Sequence, residues 1–195
     1  ITRGCSLRIR KVILVGSLFA VLSPLLIMNI TKMVMPIAGG RMEAFHPIVP
    51  VGLSFYTLQI AAYLSDVYSG KVNAQHNLLK YALFISFFPQ ILQGPIPRYE
   101  DLSHQLTEGQ EFNPDNIHHG FQCILWGFFL KYMIADKAGI VVNTVFGNSS
   151  AYSGLYYAVA GSLYSIQLYA DFLACTTLSI GAASLFGIQL SENFY

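Results

Sequence analysis

The chain is predicted to be an all-α, polytopic integral membrane protein with discontinuous, re-entrant helices, and three observations predict it. Its 195 residues are 54% hydrophobic and only 11% charged, with a mean hydropathy of +0.50, whereas soluble domains carry about 25% charged residues. Val12 to Ile30 contains no charge and as a helix would reach ~28 Å, close to the ~30 Å hydrocarbon core of a bilayer. A later apolar run from Leu78 is cut by Pro89, Gly94, Pro95 and Pro97, where backbone hydrogen bonds are lost at a depth that has no water to replace them.

The first span is flanked by Arg8, Arg10 and Lys11 on one side and Lys32 on the other. Ser23-Pro24 at its middle is expected to kink it, which a membrane helix tolerates when a neighbour satisfies the freed carbonyl. A loop is expected from Thr31 to about Pro47, then an irregular entry, His46 to Gly52, to a second span ending near Leu64. Its Ser54, Tyr56, Thr57 and Gln59 suit contacts between helices. With the N-terminal flank inside, that side holds Arg3, Arg8, Arg10, Lys11, Lys71 and Lys80, against Lys32, Arg41 and Arg98 opposite, the orientation that the excess of positive charge favours.

Leu78 to Ile91 is expected as one helix of ~21 Å, too short to cross. Pro95 and Pro97 push Gly94 and Ile96 out of helical dihedrals. Two readings stand: an ordinary loop after a span, or a re-entrant segment whose Gln90, Gln93 and Arg98 line a polar cavity.

Glu100, Asp101, Glu108, Glu111 and Asp115 are half of the 10 acidic residues, and no Lys or Arg occurs from Tyr99 to Leu130. That stretch reads as a solvated loop. Asn113-Pro114-Asp115 then carries helix-start chemistry, for a helix from Ile117 to Ile134 whose far end Lys131, Asp136 and Lys137 interrupt. After a turn at Asn148 to Gly154, Ala151 to Phe172 is expected as a span with Tyr164, Gln167 and Asp171 on one face. An Asp at mid-membrane costs ~2.5–3.5 kcal/mol, so Asp171 faces a cavity or lies at an interface. Leu173 to Leu190 is expected as a last helix, with Ser179, Ala183 and Gly187 as a ridge of small residues for close packing.

A net charge of +1, with no Lys/Arg cluster beyond the short Arg8, Arg10, Lys11 group, gives no case for nucleic acid as a partner. Cys5, Cys123 and Cys175 are scattered, which argues against a metal site or a disulfide framework. No phosphate loop, zinc spacing or nucleophile elbow occurs. His46, His76, His104, His118 and His119 fall in loops or at a helix start. Ile1 is no initiator methionine and the chain runs apolar towards Tyr195, so residues 1–195 read as a single membrane domain within a longer protein. The residues alone fit a transporter with broken helices as well as an enzyme.

Val49-Pro50-Val51-Gly52-Leu53-Ser54-Phe55-Tyr56-Thr57-Leu58-Gln59 with Asp66-Val67-Tyr68, then Phe87-Phe88-Pro89-Gln90 with Gly94-Pro95-Ile96 and Arg98, then Gly127, Lys131 and Ile134-Ala135-Asp136, occur in this order. Tyr164, Gln167-Leu168-Tyr169, Asp171-Phe172, Gly187 and Glu192-Asn193-Phe194 follow. The series, from about Pro47 to Tyr195, resembles the membrane-bound O-acyltransferases (MBOAT) of the alginate O-acetylation type, which implies a partial MBOAT fold.

The resemblance implies transfer of an acyl group to hydroxyls of a cell-surface polysaccharide or cell-wall polymer, in the bacterial plasma membrane. It implies an acyl donor as substrate, acetyl-CoA or an acyl carrier protein thioester, with no bound cofactor or metal, and an extracytoplasmic polysaccharide-acetylating partner protein beside the membrane lipid. The substrate route would include Gln90, Gln93, Arg98, Tyr164, Gln167 and Asp171. The family's base, a histidine, belongs to a Trp- and Arg-rich block after Glu-Asn-Phe and is expected C-terminal to Tyr195, so residues 1–195 alone are expected to be inactive. The chain departs from the family at Leu173, Ala174 and Thr177, where small and acidic residues are usual.

Overall fold

A computed structural model describes residues 7–34, 52–91, 94–148 and 150–191. Of the sequence expectations, the entry from His46 to Val51, Gln93, Cys5 and Glu192-Asn193-Phe194 lie outside them. The described residues are helical, with no strand among them, and form two compact units. One comprises residues up to Phe87 with Ile96–Thr107, the other Phe88–Pro95 with the residues from Glu108 onward.

In the first unit, α1 (Leu7–Val34) runs 28 residues without interruption at Pro24. Proline at 24 leaves the Ala20 carbonyl without its helical N–H, and the Ser23 hydroxyl donates to that carbonyl at 2.9 Å. Its large apolar side chains Val12, Val15, Phe19, Ile27 and Ile30 are exposed, as expected of a helix solvated by lipid rather than by water. The helix reaches Val34, so the loop expected from Thr31 starts later. Arg10 donates to the carbonyl of Tyr68 at 3.0 Å and lies over that ring. It thus caps α2 (Leu53–Tyr68), at the terminus where a cation is favoured.

The predicted helix from Leu78 to Ile91 is two: α3 (Leu78–Ile85) and the single turn α4 (Phe88–Ile91). The break falls ahead of Pro89, whose ring would clash with the carbonyl four residues back, that of Ile85. Ending α3 there leaves Phe84 without its intrahelical donor, and the buried Gln59 Nε2 of α2 donates to the Phe84 carbonyl at 3.2 Å. Gln59→Leu should therefore lower stability by about 1–2 kcal/mol, the cost of an unsatisfied buried carbonyl, read as a fall in Tm of the full-length protein in detergent. Tyr63, Tyr81, Phe84 and Tyr99 pack with neighbouring ring centroids 4.9 Å apart. Gln75 donates from its backbone N–H to Tyr63 and from its side chain to Tyr99, which seats α5 (Tyr99–Thr107) on α3.

The second unit is dominated by two long helices. Asn113 caps α6 (Pro114–Phe129) by accepting from the Asp115 N–H. The helix does not end near Ile134: it passes through a π-helical turn, Leu130–Ala135, into α7 (Asp136–Gly147). Opposite it, α8 (Leu155–Leu185) is one helix of 31 residues, not a span to Phe172 followed by a second helix. With no Pro or Gly between Asp171 and Ile180, nothing breaks it, and at ~46 Å it is longer than a ~30 Å hydrocarbon core. Arg8–Thr31 and Leu155–Leu185 are long and apolar enough to cross a membrane.

Gly187 is not part of the packing ridge. Past the end of α8 it takes φ 75°, the Ile188 N–H bonds the Ala183 carbonyl and the Gly187 N–H that of Ser184, a Schellman ending that satisfies the last carbonyls. The close approach is made elsewhere. A Cβ on Gly120 would lie 2.9 Å from the Gly181 carbonyl oxygen, and one on Gly181 would lie 2.8 Å from that of Gly120, so α6 and α8 touch backbone to backbone.

Candidate functional site

The residues of the α6–α7 rod that face α8 show why a π-turn is present. Gly120, Gly127 and Leu130 are buried, then Ala135, Gly139, Val142 and Val145. The steps are those of an α-helical face except that from Leu130 to Ala135, one residue too long. The π-turn absorbs that residue, so both halves of the rod keep their small side chains against α8.

The same turn brings charges together. On an α-helix Lys131 and Asp136 would point ~140° apart, whereas a π-turn hydrogen-bonds each residue to the fifth beyond it. Lys131 Nζ lies 3.2 Å from Asp136 Oδ1 and donates to Asp171 Oδ1 at 2.6 Å, all three side chains being roughly 40% exposed (38%, 44% and 38%). The carboxylate on α8 thus has its cation, which sequence reasoning missed. The five-residue spacing of Lys131 and Asp136 hides the pair, because helical neighbours are sought at three and four.

One turn before Asp171, Gln167 lies over Gly139, where an added Cβ would come within 2.9 Å of its Nε2. Its Oε1 is buried without a hydrogen-bond partner. The unbroken α8 keeps Tyr164, Gln167 and Asp171 on one face, with Tyr164 exposed.

At the broken segment, Gly94 to Arg98 is non-helical. Its first half is packed inside: Gly94 is buried, Pro95 is among the most completely buried side chains, and the Gly94 N–H bonds the Gln90 carbonyl at 3.2 Å. The second half is not, for Ile96 and Arg98 are exposed. Gln90 is 5% exposed, and neither its Oε1 nor its Nε2 has a partner. Gln90 belongs with α8 in the second unit and Arg98 opens α5 in the first. Phe88 of α4 meets Phe186, just past the end of α8, edge-on at 5.6 Å.

Among the described residues the histidines supply no constellation with these groups. His76 and His104 belong to the first unit, and His118 and His119 are exposed in the first turns of α6. His119 Nε2 is 3.6 Å from the Cys123 sulfur. Among the described residues no three His, Cys, Asp or Glu side chains converge as a metal site would require.

No family model matches the chain. Over 150 residues it is 34% identical to the alginate O-acetylase AlgI of Pseudomonas aeruginosa, covering 76% of this chain and 28% of that protein. It is 32% identical over 181 residues to the peptidoglycan O-acetyltransferase of Helicobacter pylori, 80% of this chain and 34% of the relative. With the teichoic acid D-alanyltransferase of Bacillus subtilis it shares 30% over 152 residues, 74% and 37%. The chain thus spans about a third of the length of these relatives.

Proposed function

We propose, from the premise that this chain is related to the AlgI-like membrane-bound O-acyltransferases, that it is the part of a multi-pass bacterial plasma-membrane enzyme that walls the route to O-acyl transfer onto a cell-surface polymer. The observation that carries this reading is the common element of the relatives' names: alginate, peptidoglycan and teichoic acid differ as acceptors, but each name describes an acyl group moved onto an envelope polymer. Polar groups set into apolar helices support it, since such groups mark substrate pathways in membranes.

The donor is a thioester, acetyl-CoA or an acylated carrier protein. The acceptor hydroxyl attacks its carbonyl, a base takes the hydroxyl proton, and the thiol leaves protonated. That base is the histidine expected beyond Tyr195, and general-base catalysis of this kind is worth about 10²–10⁴-fold. Gln90, Gln93, Gln167 and Asp171, with Tyr164 on the face of α8 that bears Gln167 and Asp171, contact the substrates on their way. An extracytoplasmic partner receives or presents the polymer. The rod from Pro114 to Gly147 is a further crossing, its Lys131 paired with Asp171 of α8.

The test is deletion of the gene for the full-length protein, followed by alkaline release of ester-linked acyl groups from purified envelope polymer. Loss of those groups, restored by the gene in trans, is the expected result. Unchanged acyl content, together with solute uptake by proteoliposomes of the protein, would make it a transporter instead.

A further inference from the structure

Among the described residues six polar side chains are buried: Thr57, Gln59, Gln90, Thr176, Ser179 and Ser184. Five have found partners in the fold. Thr57 donates to the Ser54 carbonyl, Gln59 to that of Phe84, Thr176 to Phe172 and Leu173, Ser179 to Cys175 and Ser184 to Asn116. Gln90 has none, at either end of its carboxamide. A buried amide left so is among the costliest features a core can keep, and a leucine or methionine would fill the same volume without that penalty. Its backbone does not explain it, because the Gln90 carbonyl is already engaged by the Gly94 N–H. The side chain sits just ahead of the non-helical Gly94-Pro95 segment, and irregular backbone of that kind is tolerated at membrane depth where it is buried in protein or lines a cavity.

We infer that the Gln90 carboxamide is a substrate-binding group that takes a ligand group able both to donate and to accept a hydrogen bond. A thioester carbonyl or a carboxylate only accepts and an ammonium only donates, and any of these would leave half of the carboxamide unpaired. A hydroxyl does both, and so does a secondary amide. Under the O-acyltransferase reading, on which this inference rests, the first belongs to the acceptor polymer and the second to the pantetheine arm of the donor.

The experiment uses the full-length protein in detergent as wild type, Gln90→Leu and Gln90→Met. Tm is measured, and initial rates of transfer are followed with radiolabelled acetyl-CoA and an oligosaccharide of the envelope polymer, each varied in turn. The expected result is an unchanged or raised Tm with one KM raised about ten- to a hundredfold, the consequence of losing a buried hydrogen-bonded contact. A rise for the oligosaccharide assigns the hydroxyl, and a rise for acetyl-CoA assigns the amide. Both KM values within twofold of wild type would overturn the inference and leave the activity standing. A Tm lowered in both variants would overturn it as well, by showing that the amide is already bonded within the protein. Absence of transfer by the wild type would overturn the functional reading and this inference with it.

Discussion

Replacing Lys131 with methionine should destabilise the full-length protein by about 2–3 kcal/mol, and should do so more than replacing Asp171 along with it. The lysine is the cation for two carboxylates, at 2.6 Å and 3.2 Å. An exposed ion pair is worth at most ~1 kcal/mol, while stripping one partner from a buried pair costs about 3–5 kcal/mol because a charge is left unpaired. These side chains lie between the limits, so the cost falls between them. Methionine preserves the apolar stem, which separates loss of charge from loss of packing. Lys131→Met/Asp171→Asn removes the orphaned charge on α8 and should recover part of the Tm. A double variant no more stable than the single would mean that the pair does not set the stability of this seam. Because the Lys131–Asp136 contact requires the π-turn, the single variant should also speed amide exchange from Leu130 to Ala135.

That cluster marks where the sequence stops being legible. Lys131 and Asp136 are conspicuous in an apolar helix, and without a known partner such charges are placed at an interface, which ends the predicted helix about a dozen residues early. The partner lies on α8, a contact only the tertiary fold creates. The division of α8 in the sequence reading has a related cause: 31 residues are more than a bilayer needs, and length argues for two elements where composition offers no breaker. Local chemistry is legible wherever one residue decides the outcome. Pro24 is accommodated by Ser23, Asn113 caps α6, and the proline-rich segment is non-helical from Gly94. The earlier break at Ser86 shows that Pro89 outweighs the apolar run around it. Gln90 is visible as a polar residue in an apolar segment, but its unpaired amide is not, since satisfaction of a hydrogen bond is a property of neighbours. The same holds for Gln167, whose place over Gly139 follows from the phase shift of the π-turn.

Gly181→Ala is the substitution expected to do most harm to the fold, about 3 kcal/mol or more. At most sites a new methyl group meets a flexible side chain that turns aside, but here it meets the Gly120 carbonyl oxygen at 2.8 Å and Ile124 and Cys123 at 2.9 and 3.0 Å. A carbonyl within a helix cannot move alone. The two helices must separate along the seam, which loosens the contacts of Ala174, Ala183 and Ser184 as well, and overpacking of this kind costs about 1–3 kcal/mol even where side chains can adjust. Gly120→Ala should do nearly the same, because its Cβ meets the Gly181 carbonyl in return. The two changes ask for one and the same separation, so the double variant should lose clearly less than the sum of the single losses. Gly161→Ala, on the same helix where a Cβ meets nothing within 4 Å, should be neutral or slightly stabilising through helix propensity. Thermal unfolding of the four variants in detergent decides the matter: equal, small shifts for Gly181→Ala and Gly161→Ala would show that α6 and α8 are not in backbone contact.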